Sequence, residues 1–360
     1  MNIVVYGIAK NEQQFAKRFM KSVKDADSVV ICDTGSTDKT VSILRKYGAE
    51  VHEIQVNPWR FDLARNMSLL HLQDADIAVS MDIDEVTLPG WRKRIEEAWI
   101  PGTTILRYPF VHNWEDKNQT IPRLSVWGFK VHCPKSYIWK YPIHETLESR
   151  DNASDEKIIT INEELMRHYP DPNKNERWGR IELLKMAAEE DLADQRMSHL
   201  YGRELWFHGR HKEAIVELKR HLTLTIPYIE PTYDTDGLCQ TRSTSCRLIA
   251  RCLMADGGSP DEIMVWLLRG VAESPSQREP WVALADAWLT VGDAASAYAA
   301  ALRGLAITDR LRSSELEEWC WGEHPQELAE RAYKILIGGS VHVSRNDSWR
   351  KHIRVYPGGW

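Results

Sequence analysis

Short apolar strands alternate with amphipathic helices through the first hundred residues, and this alternation limits the fold more than any other feature. Strands are predicted at 2–9, 28–33, 49–56 and 76–84. Between them, apolar residues recur every three or four positions, which is typical of helices. Such alternation predicts a mostly parallel sheet with helices on both faces. Ligands of these sheets bind beyond the carboxyl ends of the strands.

Capping residues predict where the helices begin. Asn11 is a suitable N-cap for the first helix, and Ser36 or Thr37 for the second. The third helix is predicted at 61–72, and it has three apolar residues on one face. They are Leu63, Met67 and Leu70.

After residue 100 the pattern changes twice. Segments 103–114 and 120–132 are rich in aromatic and β-branched residues, which predicts antiparallel strands. From about residue 175 the strands vanish, and three similar segments each contain an apolar helix, a turn and a second apolar helix. Their turns lie near Gly209, Gly257 and Gly292. The spacing of the last two segments is about one tetratricopeptide length, and stacked helical pairs of this kind leave a concave face.

Composition excludes several classes of protein. A formal net charge of −6 argues against a protein whose whole surface holds nucleic acid. The six cysteines form no CxxC pair, which favours reduced thiols in a cytoplasmic protein over a zinc site. We expect no membrane span and no signal peptide, because no run of about 20 apolar residues occurs.

Carboxylates stand at the predicted ends of two strands. Asp33 ends the second strand, and Asp82, Asp84 and Glu85 follow the apolar part of the fourth. Asp82 and Asp84 are predicted to share a face of an extended segment, where their repulsion would be relieved by Mg²⁺ or Mn²⁺. A solvated turn is the alternative. The segment 33–40 adds a glycine turn before a helix, which suits phosphate, although it is neither a Walker loop nor a GxGxxG fingerprint.

Several motifs together resemble the inverting glycosyltransferases of family 2, which have the GT-A fold. "IAKNE", "VVICDTGSTDKTVSILRKYGA", "FDLARN" and the DxD-type "MDIDE" match in order and spacing, and "WKYPIHETL" resembles a later His-Glu segment. The resemblance covers residues 2–170. The helical half is similar to members with tetratricopeptide-like repeats, including the S-glycosyltransferases that modify bacteriocin peptides. The resemblance implies an α/β GT-A catalytic domain at 1–170 and an all-α repeat domain at 175–340. A tail rich in basic and aromatic residues follows at 341–360.

The resemblance also implies a nucleotide-sugar pocket. Asp33 would contact the base or ribose, Lys10 and Arg65 would line the same pocket, and Asp82 would face the donor. Many members have a second aspartate where this chain has Thr34. The preference for a UDP-sugar such as UDP-glucose therefore stays open at this point.

The remaining implied roles concern the metal and the base. Asp82 and Asp84 would hold Mn²⁺ or Mg²⁺ on the diphosphate, with His144 as a further ligand and His168 as the alternative histidine. Glu145 would be the general base that deprotonates the acceptor. Inverting transfer needs one base, and the metal neutralises the leaving group.

Each of these roles has a rival. His144 and Glu145 could form an ordinary ion-paired turn, and Asp171 is a weaker alternative base.

The predicted partners are a nucleotide-sugar donor and a macromolecular acceptor, either a modified DNA base or a protein side chain, with a possible homodimer through the repeats. Basic and aromatic residues of the tail suit nucleic acid. A non-catalytic scaffold and a nucleotidyltransferase are the competing functions.

Overall fold

The chain divides into two units, Met1–Trp178 and Gly179–Trp360. The computed structural model describes residues 1–72, 74–116, 118–150, 156–171, 179–224, 235–309 and 317–338, without the side chains of 123–125 and 235–239. The predicted tail at 341–360 lies outside these residues.

A mixed sheet forms the centre of the first unit. The strands are β1 (Ile3–Ala9), β2 (Ser28–Asp33), β3 (Glu50–Glu53), β4 (Ile77–Ser80), β5 (Glu85–Thr87), β6 (Ile105–Trp114), β7 (Pro122–His132), β8 (Tyr137–Lys140), β9 (Thr146–Ser149), β10 (Ile158–Thr160) and β11 (Met166–His168). Their order is β3-β2-β1-β4-β7-β6-β11-β5, β10 also pairs with β6, and β8 and β9 form a separate hairpin. The first four strands in this order are parallel, whereas β7 is antiparallel to both β4 and β6. The predicted parallel half and its antiparallel extension are thus confirmed.

Strand β1 is buried on both faces. Ile3 and Val5 pack in one apolar cluster that includes Phe19 and Trp91, and Val4 and Tyr6 pack in a second cluster on the opposite face. Alternate side chains of a strand point to opposite faces, so an apolar run of this kind indicates a strand covered on both sides.

Four helices cover this sheet. They are α1 (Gln13–Ser22), α2 (Thr40–Lys46), α3 (Phe61–Leu69) and α4 (Trp91–Ala98). The predicted caps are wrong, because Glu12 and Lys39 occupy the N-cap positions of α1 and α2.

The polar residues that were predicted as caps instead join two loops. Asn11 has φ 56°, and its side-chain oxygen accepts a hydrogen bond from the Thr37 N–H at 2.8 Å. In return, the Ser36 hydroxyl accepts one from the Asn11 N–H at 2.9 Å. These contacts fasten the loop after β1 to the loop after β2.

Helix α3 buries a different face from the one that its apolar residues suggest. Leu63 and Leu70 are 46% and 70% exposed, whereas Asp62 and Arg65 are 4% and 6% exposed. Burial of charged residues on a helix needs partners on the neighbouring elements. The polar face of α3 is therefore the one that builds a site.

The fourth strand is shorter than predicted, and the acidic segment after it is a turn. β4 ends at Ser80, and the Glu85 N–H donates to the Asp82 carbonyl at 3.0 Å. We call 81–85 the DxD turn. The Met81 N–H donates to the Tyr6 carbonyl at 2.9 Å, and a Cβ added to Gly7 would lie 2.2 Å from the Met81 carbonyl oxygen. Glycine is needed at position 7 for this close approach.

The second unit is helical throughout its described residues. Its helices are α5 (Arg180–Glu190), α6 (Gln195–Phe207), α7 (His211–Thr223), α8 (Thr235–Ala255), α9 (Pro260–Glu273), α10 (Arg278–Val291), α11 (Ala294–Leu305) and α12 (His324–Leu336). Gly209, Gly257 and Gly292 have φ of 69°, 76° and 90° at the turns within three helix pairs. The three predicted helix–turn–helix segments are confirmed, and their tetratricopeptide-like character remains a prediction. None of the described helices combines the length and apolar character needed to cross a bilayer.

We expect Gly7→Ala to destabilise the first unit by about 3 kcal/mol, because the new methyl group would collide with backbone rather than with a flexible side chain. Calorimetric unfolding would measure the change. Gly322→Ala is the control, since a Cβ there meets no atom within 4 Å. Equal stability of the two variants would contradict the close packing at Gly7.

Candidate active site

The loops after β1, β2 and β4 meet at one end of the sheet. In the parallel register, Ala9 lies opposite Asp33 and Tyr6 lies opposite Ser80, so β2 and β4 end on either side of β1. Lys10, the next residue of the β1 loop, is exposed. Side chains from three loops are thereby available to one ligand.

Asp33 fixes the turn that follows it. It is 2% exposed, and one of its oxygens accepts hydrogen bonds from the N–H groups of Gly35 and Ser36 at 3.0 and 2.8 Å. Its other oxygen accepts one from the Ser36 hydroxyl at 2.5 Å. The Thr34 hydroxyl, at the position of the family's second aspartate, donates to the Ala9 carbonyl at 3.2 Å. Asp33 thus shapes the predicted base-binding loop.

Arg65 joins the DxD turn to the His-Glu segment. Its Nη2 donates to an Asp82 oxygen at 2.7 Å, and its Nε donates to a Glu145 oxygen at 2.6 Å. The guanidinium lies 5.0 Å from the centre of the Trp139 ring, and Nη1 is buried without a hydrogen-bond partner. Arg65 is thereby held between two carboxylates and an aromatic ring.

Helix α3 also positions the segment that carries Glu145. The Asn66 side chain donates to the Trp139 carbonyl at 2.8 Å and accepts from the Trp139 N–H at 2.9 Å. The Phe61 N–H donates to the Pro142 carbonyl at 3.0 Å. One helix thus supplies the cation and anchors the chain that carries its carboxylate partner.

Lys130 is a second cation at Asp82 that the sequence analysis missed. Strand β7 places Val131 opposite Val79, which brings Lys130 to the end of β4. Its ammonium lies 3.2 Å from the second Asp82 oxygen and also contacts Glu85. A single lysine within the apolar and aromatic run 126–132 was the available signal, because a buried lysine requires an acidic partner.

Glu85 has a structural position that its neighbours in the sequence do not reveal. It is 1% exposed, and its carboxylate accepts a hydrogen bond from the Asp82 N–H at 3.0 Å. Glu85 has no predicted role, but its carboxylate closes the DxD turn from within.

Asp84 contacts a histidine rather than the cations. Its carboxylate lies 3.1 Å from His168 Nε2, and His168 Nδ1 lies 3.0 Å from the His112 carbonyl oxygen. The Asp84 carbonyl accepts hydrogen bonds from the Tyr169 N–H at 3.1 Å and from Arg18 at 3.0 Å. Asp82 and Asp84 therefore have separate partners, and the predicted shared face is wrong because the segment turns.

The two histidines proposed for the metal lie in different surroundings. Asp84 is paired with His168, the alternative candidate, whereas His144 precedes Glu145 with φ 53°. Asp171 accepts a hydrogen bond from the Gln14 side chain at 3.1 Å. Among the described residues, the structure gathers no set of three or more His, Cys, Asp or Glu side chains that could hold a metal.

Charges in the site stabilise one another. Burial opposes the charge of Asp82, but Arg65 and Lys130 hold the pKa of that carboxyl well below its usual range. Burial likewise opposes both cations, and their carboxylate partners raise the pKa of each. For Glu85, the effect of burial exceeds that of the Lys130 charge and raises the pKa of the carboxyl.

The paired histidines behave in opposite ways. Burial opposes the protonation of His168, but its contact with Asp84 raises the pKa to about 9. Burial and the neighbouring His168 lower the pKa of His112 to about 4. At neutral pH the metal-free site therefore contains a charged His168 beside a neutral His112.

Residues 5–150 match the family model for Glycosyl transferase family 2. This part of the chain, less than half of its 360 residues, is similar to the family 2 glycosyltransferases. The match covers most of the first unit and supports a glycosyltransferase. A search of curated proteins finds no significant match.

Solved structures offer weaker similarities. Glucosyl-3-phosphoglycerate synthase from Mycobacterium tuberculosis, in complex with Mn²⁺, UDP and glucosyl-3-phosphoglycerate, is 16% identical with a TM-score of 0.37, over 53% of this chain and 77% of that one. The MamA protein is 15% identical with a TM-score of 0.30, over 44% of this chain and 78% of that one. TM-scores of this size do not establish a shared fold.

The Asp84–His168 pair predicts a pH dependence of stability in the metal-free protein. The folded pKa of His168 is about 9, above the value near 6.5 in an unfolded chain, so its stabilisation is complete below about pH 6.5 and is lost as pH rises through about 9. With a chelator present, the advantage of the wild type over His168→Asn should shrink by roughly 3 kcal/mol between pH 6 and pH 10. Denaturant unfolding across that range would measure it, and a constant difference would contradict the pairing.

Proposed function

We propose that the protein is a metal-dependent inverting glycosyltransferase that moves a sugar from a UDP-sugar to an acceptor. The observation that carries the proposal is the linkage of Asp82 and Glu145 through Arg65, beside the Asp84–His168 pair. This linkage joins Asp82, which is suited to the donor side, with Glu145, a carboxylate suited to the acceptor side. The match of residues 5–150 to family 2 supports the same reaction.

Asp84 and His168 fit a divalent metal better than the other candidates. A carboxylate oxygen and an imidazole nitrogen converge to 3.1 Å, a donor set that Mn²⁺ accepts. The His112 carbonyl at Nδ1 favours a proton on that nitrogen, which leaves Nε2 for the metal. When bound, the metal neutralises the charge that develops on the diphosphate leaving group. His144, the histidine that the resemblance implies, becomes the alternative in this proposal. Asp82, whose oxygens contact two cations, would face the nucleotide-sugar instead of joining Asp84 on the metal.

Glu145 is the proposed general base. Its side chain is 12% exposed, and Arg65 Nε fixes one of its oxygens. The free oxygen would accept the acceptor's proton while the new bond to the anomeric carbon forms and the bond to the diphosphate breaks. The ion pair orients the carboxylate before the acceptor arrives.

The loops after β1 and β2 are the proposed nucleotide pocket. Asp33 holds the turn at 35–36, and the side chains of Asn11 and Ser36 fasten the two loops together. Lys10 is exposed beside them and is available to the donor. A preorganised pocket of this kind saves the ordering cost of binding.

We propose a macromolecular acceptor, either a modified DNA base or a protein side chain. Three consecutive helix pairs form much of the second unit, and stacked pairs of this kind commonly present extended binding surfaces. The same helices are the proposed surface for a homodimer.

Asp84→Asn should reduce Mn²⁺-dependent hydrolysis of UDP-glucose by about 10²–10³-fold, because it removes the carboxylate charge that would hold the metal on the diphosphate. Release of UDP would be measured by chromatography. Asp25→Ala, at an exposed position of the same unit, is the control and should keep wild-type turnover. Pyrophosphate release from a nucleoside triphosphate would instead indicate a nucleotidyltransferase. Absence of turnover with every donor would indicate a non-catalytic scaffold.

Glu145→Gln tests the base separately from donor binding. The amide oxygen can still accept from Arg65 Nε, so KM for the donor should change little while kcat falls by about 10²–10⁴-fold. Steady-state kinetics with UDP-glucose would separate the two constants. Full turnover in this variant, together with a loss in Asp171→Asn, would transfer the role to Asp171.

A further inference from the structure

Five side chains of alternating charge form a continuous row through the site. Their order is Glu85, Lys130, Asp82, Arg65 and Glu145, and we call them the charge row. Lys130 contacts Glu85 and lies 3.2 Å from Asp82, and Arg65 lies 2.7 Å from Asp82 and 2.6 Å from Glu145. The row connects β5, β7, the DxD turn, α3 and the His-Glu segment.

Asp82 is the central member of the charge row and its most accessible carboxylate. Its side chain is 36% exposed, whereas those of Glu85 and Glu145 are 2% and 12% exposed. Each Asp82 oxygen is held by a different cation, Oδ1 by Arg65 and Oδ2 by Lys130. Two contacts on opposite oxygens restrict rotation of the carboxylate.

We propose that Lys130 is a positioning residue that holds Asp82 in the orientation required by the donor. This inference rests on the proposed function. Lys130 is well suited to the task because it extends from a strand paired on both sides, with β4 and with β6. Its ammonium also lies 5.4 Å from the centre of the Phe110 ring, a second contact that limits its movement.

Neutralisation of Glu85 is the alternative role for Lys130. Glu85 and Asp82 are close, since the Glu85 carboxylate accepts a hydrogen bond from the Asp82 N–H at 3.0 Å. Removal of Lys130 alone would leave both carboxylates without that cation, so a single variant cannot separate the two roles. Glu85→Gln removes the demand for neutralisation but retains an oxygen that can accept from the Asp82 N–H.

The first experiment therefore uses Glu85→Gln as the background and ligand-free protein. In that background, Lys130→Met should raise the unfolding equilibrium constant by about tenfold, and the effect should fall below about threefold when Asp82→Asn is added. Denaturant unfolding would give the constants. Lys93→Met, at a position 78% exposed on α4, is the matched control and should have little effect. No effect of Lys130→Met in the Glu85→Gln background would overturn the proposal.

The second experiment measures binding of UDP with Mn²⁺ by calorimetry. Relative to Glu85→Gln, the Lys130→Met/Glu85→Gln protein should bind about tenfold more weakly. Lys130→Arg/Glu85→Gln should recover much of the loss, because it restores a cation beside Asp82. Normal binding by the Lys130→Met/Glu85→Gln protein would assign Lys130 to Glu85 alone. A third outcome separates the two proposals: the unfolding experiment shows coupling between Lys130 and Asp82, but the wild type does not bind UDP. That result would contradict the proposed function, while the role of Lys130 in positioning Asp82 would stand.

Discussion

The burial of Arg65 is the interaction on which the site depends. Arg65 is only 6% exposed, so its guanidinium has lost most of its hydration, a cost that only close opposite charges can offset. Asp82 and Glu145 supply those charges from two segments far apart in the chain. If either carboxylate moved away, Arg65 would keep a buried charge with half of its compensation. The DxD turn and the His-Glu segment therefore hold their positions together.

This requirement explains why α3 has its unusual orientation. An ordinary surface helix would bury the stripe of Leu63 and Leu70, but both are largely exposed. The helix buries Asp62 and Arg65 instead, and Arg60 pairs with Asp62 at 2.8 Å. The electrostatic gain within the site offsets the lost burial of apolar side chains.

Local sequence patterns predicted the elements of the fold well, because an element depends on neighbours within a few positions. β2 occupies the predicted span 28–33, and the antiparallel β6 and β7 lie where aromatic and β-branched residues concentrate. The caps of α1 and α2 failed, since Asn11 and Ser36 bond to each other's loops instead of to the helices that follow them. A residue suited to capping is equally suited to fastening loops, and only tertiary structure decides between the two uses.

The site was predictable only as far as its motifs reach. Asp82, Asp84, Arg65 and Glu145 stand out in the sequence, and His168 is a candidate there as well, but the sequence does not show which of these residues contact one another. His168 lies 84 positions from Asp84, and Lys130 lies 48 positions from Asp82. No local pattern selects such pairs, because they depend on the register of β7 and β11 in the sheet.

The turn after β4 gives the two aspartates different contact partners. In an extended strand, Asp82 and Asp84 would share one face and compete for the same cation. The turn, closed by the Glu85 N–H and carboxylate, directs Asp82 to Arg65 and Lys130 and Asp84 to His168. The close approach of Gly7 to Met81 is what allows the chain to leave β4 in this direction. A position without a side chain thus leaves room for the turn that divides the charges of the candidate site.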